Sequence, residues 1–156
     1  MSDLNMLHSI LSDNTTVSFW PEPFTPEQTR QRIKRANGSY SQNRFGRMGI
    51  ILKGKGELID YCGIMISETD GKKENDLGYI IHSSYWNKGY GSEAARVCLE
   101  FGFGVPGLLR LTANIDVNNK ASVRVAEKIG MKREKEFNNK NNRSLLTYLY
   151  SITKTQ

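Results

Sequence analysis

Apolar positions recur along this chain with two different periods, and the switches between them predict a series of helices and strands. Residues 3–13 carry Leu4, Leu7, Ile10 and Leu11 at helical spacing behind a Ser2/Asp3 cap position. Pro21 and Pro23 exclude regular helix from the aromatic stretch that holds Phe19, Trp20 and Phe24. Thr25-Pro26-Glu27-Gln28 reads as a helix start, with Thr25 as N-cap, Pro26 in the first position and Gln28 closing a capping box. This helix is expected to run to about Ala36 and to stop at Asn37-Gly38. The period then shortens to two. Residues 44–53, with Phe45, Met48, Ile50 and Leu52, and residues 56–68, with Leu58, Tyr61, Ile64 and Ile66, read as a hairpin around Gly54-Lys55-Gly56. A polar loop is expected over 69–75 and a third strand over 76–82. Lys88-Gly89-Tyr90-Gly91 opens a largely apolar helix over 92–103, which Pro106-Gly107 breaks. A strand over 109–117, a helix over 120–129 stopped by Gly130, and strands over 131–137 and 145–152 complete the chain. The loop 138–144 between the last two is highly polar.

This order specifies an α+β fold: a mixed, mostly antiparallel central sheet flanked by helices. Strands adjacent in sequence pair antiparallel, and the strand–helix–strand step through 92–117 gives one parallel pair. The length of 156 residues fits a single domain over 1–156.

Composition narrows the classes. Hydrophobic residues make up 38% and charged residues 24%, which suits a packed globular domain rather than a disordered one. No apolar run approaches the roughly 20 residues of a membrane span, and the first residues lack a signal-peptide pattern. Cys62 and Cys98 each sit in an apolar run without a CxxC partner, and read as small buried hydrophobes. A cytoplasmic location is the resulting expectation. The formal charge of +6 favours an anionic partner, such as a phosphorylated cofactor or RNA, or else a solvated basic face. The sequence has no aromatic RNP-like strand, GXXG clamp or zinc knuckle, so direct nucleic-acid binding is not expected. Two scattered histidines give no expectation of a metal site.

Chemistry concentrates where the third strand runs into the glycine loop. Gly89 and Gly91 have no Cβ, so main-chain amides there can approach a ligand. The first amides of a helix lack internal acceptors and carry the positive end of its dipole, a combination suited to a pyrophosphate. The same glycines could serve only to turn the chain. The dinucleotide fingerprint fails because its third glycine falls on Ala94, and GxxxxGK[ST] is absent.

Trp86-Asn87-Lys88-Gly89-Tyr90-Gly91-Ser92-Glu93-Ala94 resembles the acetyl-CoA loop of the RimJ/RimL-type branch of the GNAT superfamily. A second stretch, Asn119-Lys120-Ala121-Ser122-Val123-Arg124-Val125-Ala126-Glu127-Lys128-Ile129-Gly130-Met131, resembles N-x-A-S-x-R-[VL]-x-E-K-x-G-F of the same branch. Weaker likeness extends to Trp20-Pro21 and to Leu77-Gly78-Tyr79. Trp86 stands where most members have Gln or Arg, and Asn87 replaces a glycine. The strand that usually precedes the first helix in this family is expected to be missing.

The resemblance implies strands that splay apart at a cofactor site. Main-chain groups of Ile80, Ile81 and His82 would pair with the pantetheine arm of acetyl-CoA. Lys88, Gly89, Tyr90, Gly91 and Ser92 would hold its pyrophosphate through main-chain amides, and Asn119 would touch the arm or cap the following helix. The tyrosine that often protonates the departing thiolate in this family is replaced by Ala126. Ser122, one helical turn earlier, is the matching alternative, or a capping hydroxyl. Asp76, at the start of the splaying strand, is the candidate general base, or a hydrophilic strand-end residue. Specificity is expected in the irregular segments 19–24 and 138–144, with Trp20 and Glu22 meeting the acceptor. The implied activity is acetyl transfer to a primary amine, first a protein N-terminal α-amine, by direct transfer in a ternary complex. The alternatives are a polyamine or aminoglycoside acceptor, or a non-catalytic acyl-CoA sensor. The chain is expected to be a monomer or homodimer.

Overall fold

The structure, a computed structural model, describes residues 3–155; Ser2 of the expected first cap lies outside the described residues. Helix α1 (Asp3–Leu11) buries Leu7, Ile10 and Leu11. Helix α2 (Pro26–Asn43) opens on the predicted capping box: Thr25 Oγ1 accepts from Gln28 N at 3.2 Å and Gln28 Oε1 accepts from Thr25 N at 2.7 Å. It does not stop at Asn37-Gly38. One internal glycine costs a helix only about 1 kcal/mol. Beyond Gly38 the last turn is fixed by Ser39, whose buried Oγ donates to the Phe45 carbonyl at 2.8 Å. Arg44, at φ 63°, is the actual stop.

Strands β1 (Arg47–Leu52), β2 (Glu57–Thr69) and β3 (Lys72–Ile81) form a meander. The expected loop over 69–75 is instead a tight hairpin. Asp70 and Gly71 both take positive φ between the Thr69↔Lys72 pair, the arrangement that Asp-Gly favours. Its polar strand ends are tolerated because they lie at the exposed tip. Helix α3 (Tyr90–Gly104) then crosses to strand β4 (Arg110–Asp116), and β3 and β4 are parallel. Helix α4 (Lys120–Lys128), strand β5 (Lys132–Asn139) and strand β6 (Leu145–Thr153) follow. Among the described residues the sheet has six strands, in the order β1-β2-β3-β4-β6-β5.

Each face of the sheet carries its own core. Ile64, Leu77 and Leu111 pack with α3 and α4, joined by Ala94, Ala95, Cys98 and Ala126. Gly102 lets α3 lie close: a Cβ there would stand 2.6 Å from Ile64 Cδ1. Tyr61 and Ile80 pack on the other face with α1 and α2. Cys62 and Cys98 are buried, as expected, and their sulfurs meet at 3.2 Å.

The parallel pair matters most for function. Asp76↔Thr112 is its one bridge; past that point β3 and β4 separate. The gap gives access between the two faces of the sheet.

Candidate active site

Two cavities open on this gap. One, of about 630 Å³, lies over the α3 N-terminus and is bordered by Ile80, Ile81, Gly89, Tyr90, Gly91, Ser92 and Asn119. Gly89 is the N-cap of α3, at φ 86°, and no side chain caps the first turn. A Cβ on Gly89 would meet nothing within 4 Å, so the space in front of the leading amides is open. These features fit a pyrophosphate group. Trp86 departs from the family pattern for a legible reason: its Nε1 donates to the Ile81 carbonyl at 2.8 Å and ties the loop to the end of β3.

One of the expected main-chain contacts is placed elsewhere, and the Lys88 side chain has partners of its own. The main chain of His82 is used within the protein, its N–H donating to Ile59 O at 3.0 Å and its carbonyl accepting from Tyr85 N at 2.9 Å. The Lys88 ammonium turns back to the Ser84 carbonyl at 3.0 Å and lies over the Tyr85 ring. Neither residue borders the cleft.

The second cavity, of about 800 Å³, begins on the α2 side of the sheet and reaches α4 through the gap. Both irregular segments border this cavity. Phe19, Trp20, Pro21 and Phe24 form one wall and Asn139, Asn141 and Asn142 another, and Asn142 Nδ2 donates to Phe19 O at 3.5 Å. Trp20 packs edge-on to Phe24 and touches both cavities, so it is core and wall at once. Glu22 is exposed and lies outside both cavities, because the two prolines turn the segment so that its aromatic residues face inward.

Asp76 lines this cavity with its side chain 13% exposed. Its Oδ2 accepts from Arg47 Nη2 at 2.8 Å, and its Oδ1 accepts from Asn114 Nδ2 at 3.1 Å. Gly78 makes this possible: a Cβ there would stand 2.8 Å from Arg47 Cζ. Glu68 and Asp116 are further carboxylates on the same wall, and Arg32 and Arg35 further cations.

The cavities share Tyr79, Asn119 and Ser122. Asn119 caps α4, its Oδ1 accepting from Ser122 N at 3.0 Å, and it borders both cavities. Ser122 is therefore not the cap. Its Oγ accepts from Tyr79 Oη at 3.2 Å. Sequence reading missed Tyr79, Arg32 and Arg47. The weak Leu77-Gly78-Tyr79 likeness was the one signal for this pair of strands, but nothing in it tells which side chains meet. Among the described residues, no group of three or more His, Cys, Asp or Glu side chains is arranged to hold a metal ion, and no helix is long and apolar enough to cross a membrane.

Residues 1–132 match the family described as acetyltransferase (GNAT) domain. The chain is 40% identical to the uncharacterized protein YkkB of Bacillus subtilis over 127 residues, 78% of this chain and 71% of that protein. Its fold is similar to that of a GNAT-family acetyltransferase from Bacillus anthracis, at 31% identity and TM-score 0.76, covering 97% of this chain and 89% of the other. At fold level it is also similar to a ribosomal-protein-S5-alanine acetyltransferase from Vibrio fischeri (22% identity, TM-score 0.80, 97% and 88% covered). The aminoglycoside acetyltransferase AAC(6')-Ib in complex with coenzyme A is similar in the same way (20% identity, TM-score 0.77, 97% and 90% covered).

Proposed function

The chain belongs to the GNAT acetyltransferase family, and on that premise we propose that it acetylates a primary α-amine, in the manner of the RimJ/RimL-type branch. Acetyl-CoA, when bound, supplies an activated thioester. The open first turn of α3 holds the pyrophosphate through the amides of Gly89, Tyr90, Gly91 and Ser92, while Ile80, Ile81 and Asn119 line the path of the arm. The acceptor enters from the α2 side, past Trp20.

Transfer makes one C–N bond, breaks one C–S bond and moves one proton from the amine side to the sulfur side. Asp76 is the base on the amine side, reached through water. Arg47 and Asn114 fix its carboxylate, so it stays oriented while a proton passes. Ser122 donates on the sulfur side. Because Tyr79 Oη donates to Ser122 Oγ, the serine's own proton is free for another acceptor. The observation that carries this reading is the Tyr79–Ser122 hydroxyl pair at the junction of a pyrophosphate-shaped cleft and a second, polar cavity.

Two measurements test it. Acetyl-CoA at saturation should raise the melting temperature through mass action, and thiol release should accompany acetylation of an α-amine. Absence of both would sink the proposal, whereas binding without thiol release would favour an acyl-CoA sensor.

A further inference from the structure

Three arginines and three carboxylates line the acceptor cavity, and among the ion pairs of the described residues only Arg47–Asp76 joins two of them. Arg32 and Arg35 from α2 and Arg47 from β1 all line it. Arg47 gives Nη2 to Asp76, yet its Nε is buried with no acceptor among the described residues. Arg32 is half-buried with its guanidinium 4.2 Å from the centre of the Phe24 ring, and it has no carboxylate partner among the described residues. A buried cation without a counter-ion is costly, and the expected resolution is an anion that arrives with a ligand. Burial, and then the neighbouring Arg47, lowers the Arg32 pKa to about 10, with Arg35 adding to the repulsion and Tyr61 opposing it. Such a cation gains from any anion placed beside it.

A carboxylate also lies in sequence beside the residues assigned to transfer. Asp116 ends β4 just before Asn119 and Ser122, where its Oδ1 accepts from Asn118 N at 2.8 Å.

We propose that the acceptor carries a carboxylate as well as its amine, with Arg32, backed by Arg35, as the carboxylate-binding group. This rests on the acetyl-transfer reading and narrows its substrate class. Planar guanidinium stacked on an aromatic ring is well matched to a carboxylate. A polyamine or aminoglycoside has only like charge to offer Arg32. The carboxylate could belong to a free amino acid or to an acidic side chain beside a peptide N-terminus.

The test needs no turnover. The full chain is first titrated with coenzyme A, then with acetylated products, by calorimetry. The panel holds N-acetyl amino acids and their C-terminal amides, acetyl-Glu-Ala-amide with acetyl-Gln-Ala-amide, and N-acetylspermidine. Carboxylate-bearing members should bind at least about tenfold more tightly than their neutral partners, and the arm in which this occurs identifies the source. Arg32→Gln should erase the difference and leave the coenzyme A titration within about twofold. Arg32→Lys should keep only part of the preference, because it retains the charge but not the fork. Equal binding of neutral members, tighter binding of N-acetylspermidine, survival of the preference in Arg32→Gln, or binding of no product would each overturn the proposal. Coenzyme A binding in the first titration separates that outcome from failure of the acetyl-transfer reading.

Discussion

Tyr79 Oη donates to Ser122 Oγ at 3.2 Å, joining strand β3 to helix α4 across 43 residues of sequence. Where many relatives are expected to use a tyrosine on α4 itself, this chain brings a tyrosine from the sheet to a serine on the helix. Ser122→Ala should lower kcat by about 100-fold or more, in the range of a lost general acid. Tyr79→Phe should lower it by about fivefold, the worth of one net hydrogen bond. In both variants the acetyl-CoA dissociation constant, read by thermal shift, should stay near that of the parent. A Tyr79→Phe variant with unchanged kcat would remove the tyrosine from the proton path.

Gly78 and Arg47 are coupled by space. Gly78→Ala should push the guanidinium off Asp76 and lower stability by about 1–3 kcal/mol, as seen in denaturant melts. With Arg47→Ala already present, the same substitution should cost less than about 1 kcal/mol, because nothing remains to collide. Additive costs would show that the two residues do not interact.

Trp86 fastens the glycine loop through the Ile81 carbonyl. Trp86→Phe keeps the ring but loses the donor, and should weaken acetyl-CoA binding by about fivefold, roughly 1 kcal/mol. The catalytic step should be affected less than KM for acetyl-CoA, a split that steady-state kinetics resolves.

Asp13 links α1 to the turn after β3. Its Oδ2 accepts from Thr16 N at 2.8 Å and from Ser83 Oγ at 2.9 Å, and the Thr16 hydroxyl is a further donor. These bonds, the Thr16 hydroxyl foremost, hold its carboxyl below the usual range. As pH falls, the unfolded chain therefore takes up the proton first. The stabilisation is complete above about pH 4 and is lost as pH drops through the folded-state value. Asp13→Asn should melt earlier than the parent near pH 7, and the gap should narrow and close as pH falls through the folded-state value. A gap that does not depend on pH would mean the charge is irrelevant.

Local signals were strong where one residue type answers one backbone need. Thr25, Pro26 and Gln28 announced the start of α2, Gly89 the open turn before α3, and Gly130 the end of α4. The strand–helix–strand spacing fixed the parallel pair, and with it the gap that admits ligands. Patterning failed where several weak terms compete: Gly38 signalled a helix stop, but Ser39 bonded to Phe45 and outweighed it. The polar stretch after Thr69 hid a hairpin that Asp70-Gly71 alone revealed. The meeting of Arg47 with Asp76, of Tyr79 with Ser122, and of Arg32 with the acceptor cavity was decided only by tertiary structure. A period of two or 3.6 states which face a side chain occupies. It carries no information about which residue, 29 or 43 positions away, the opposing face will present.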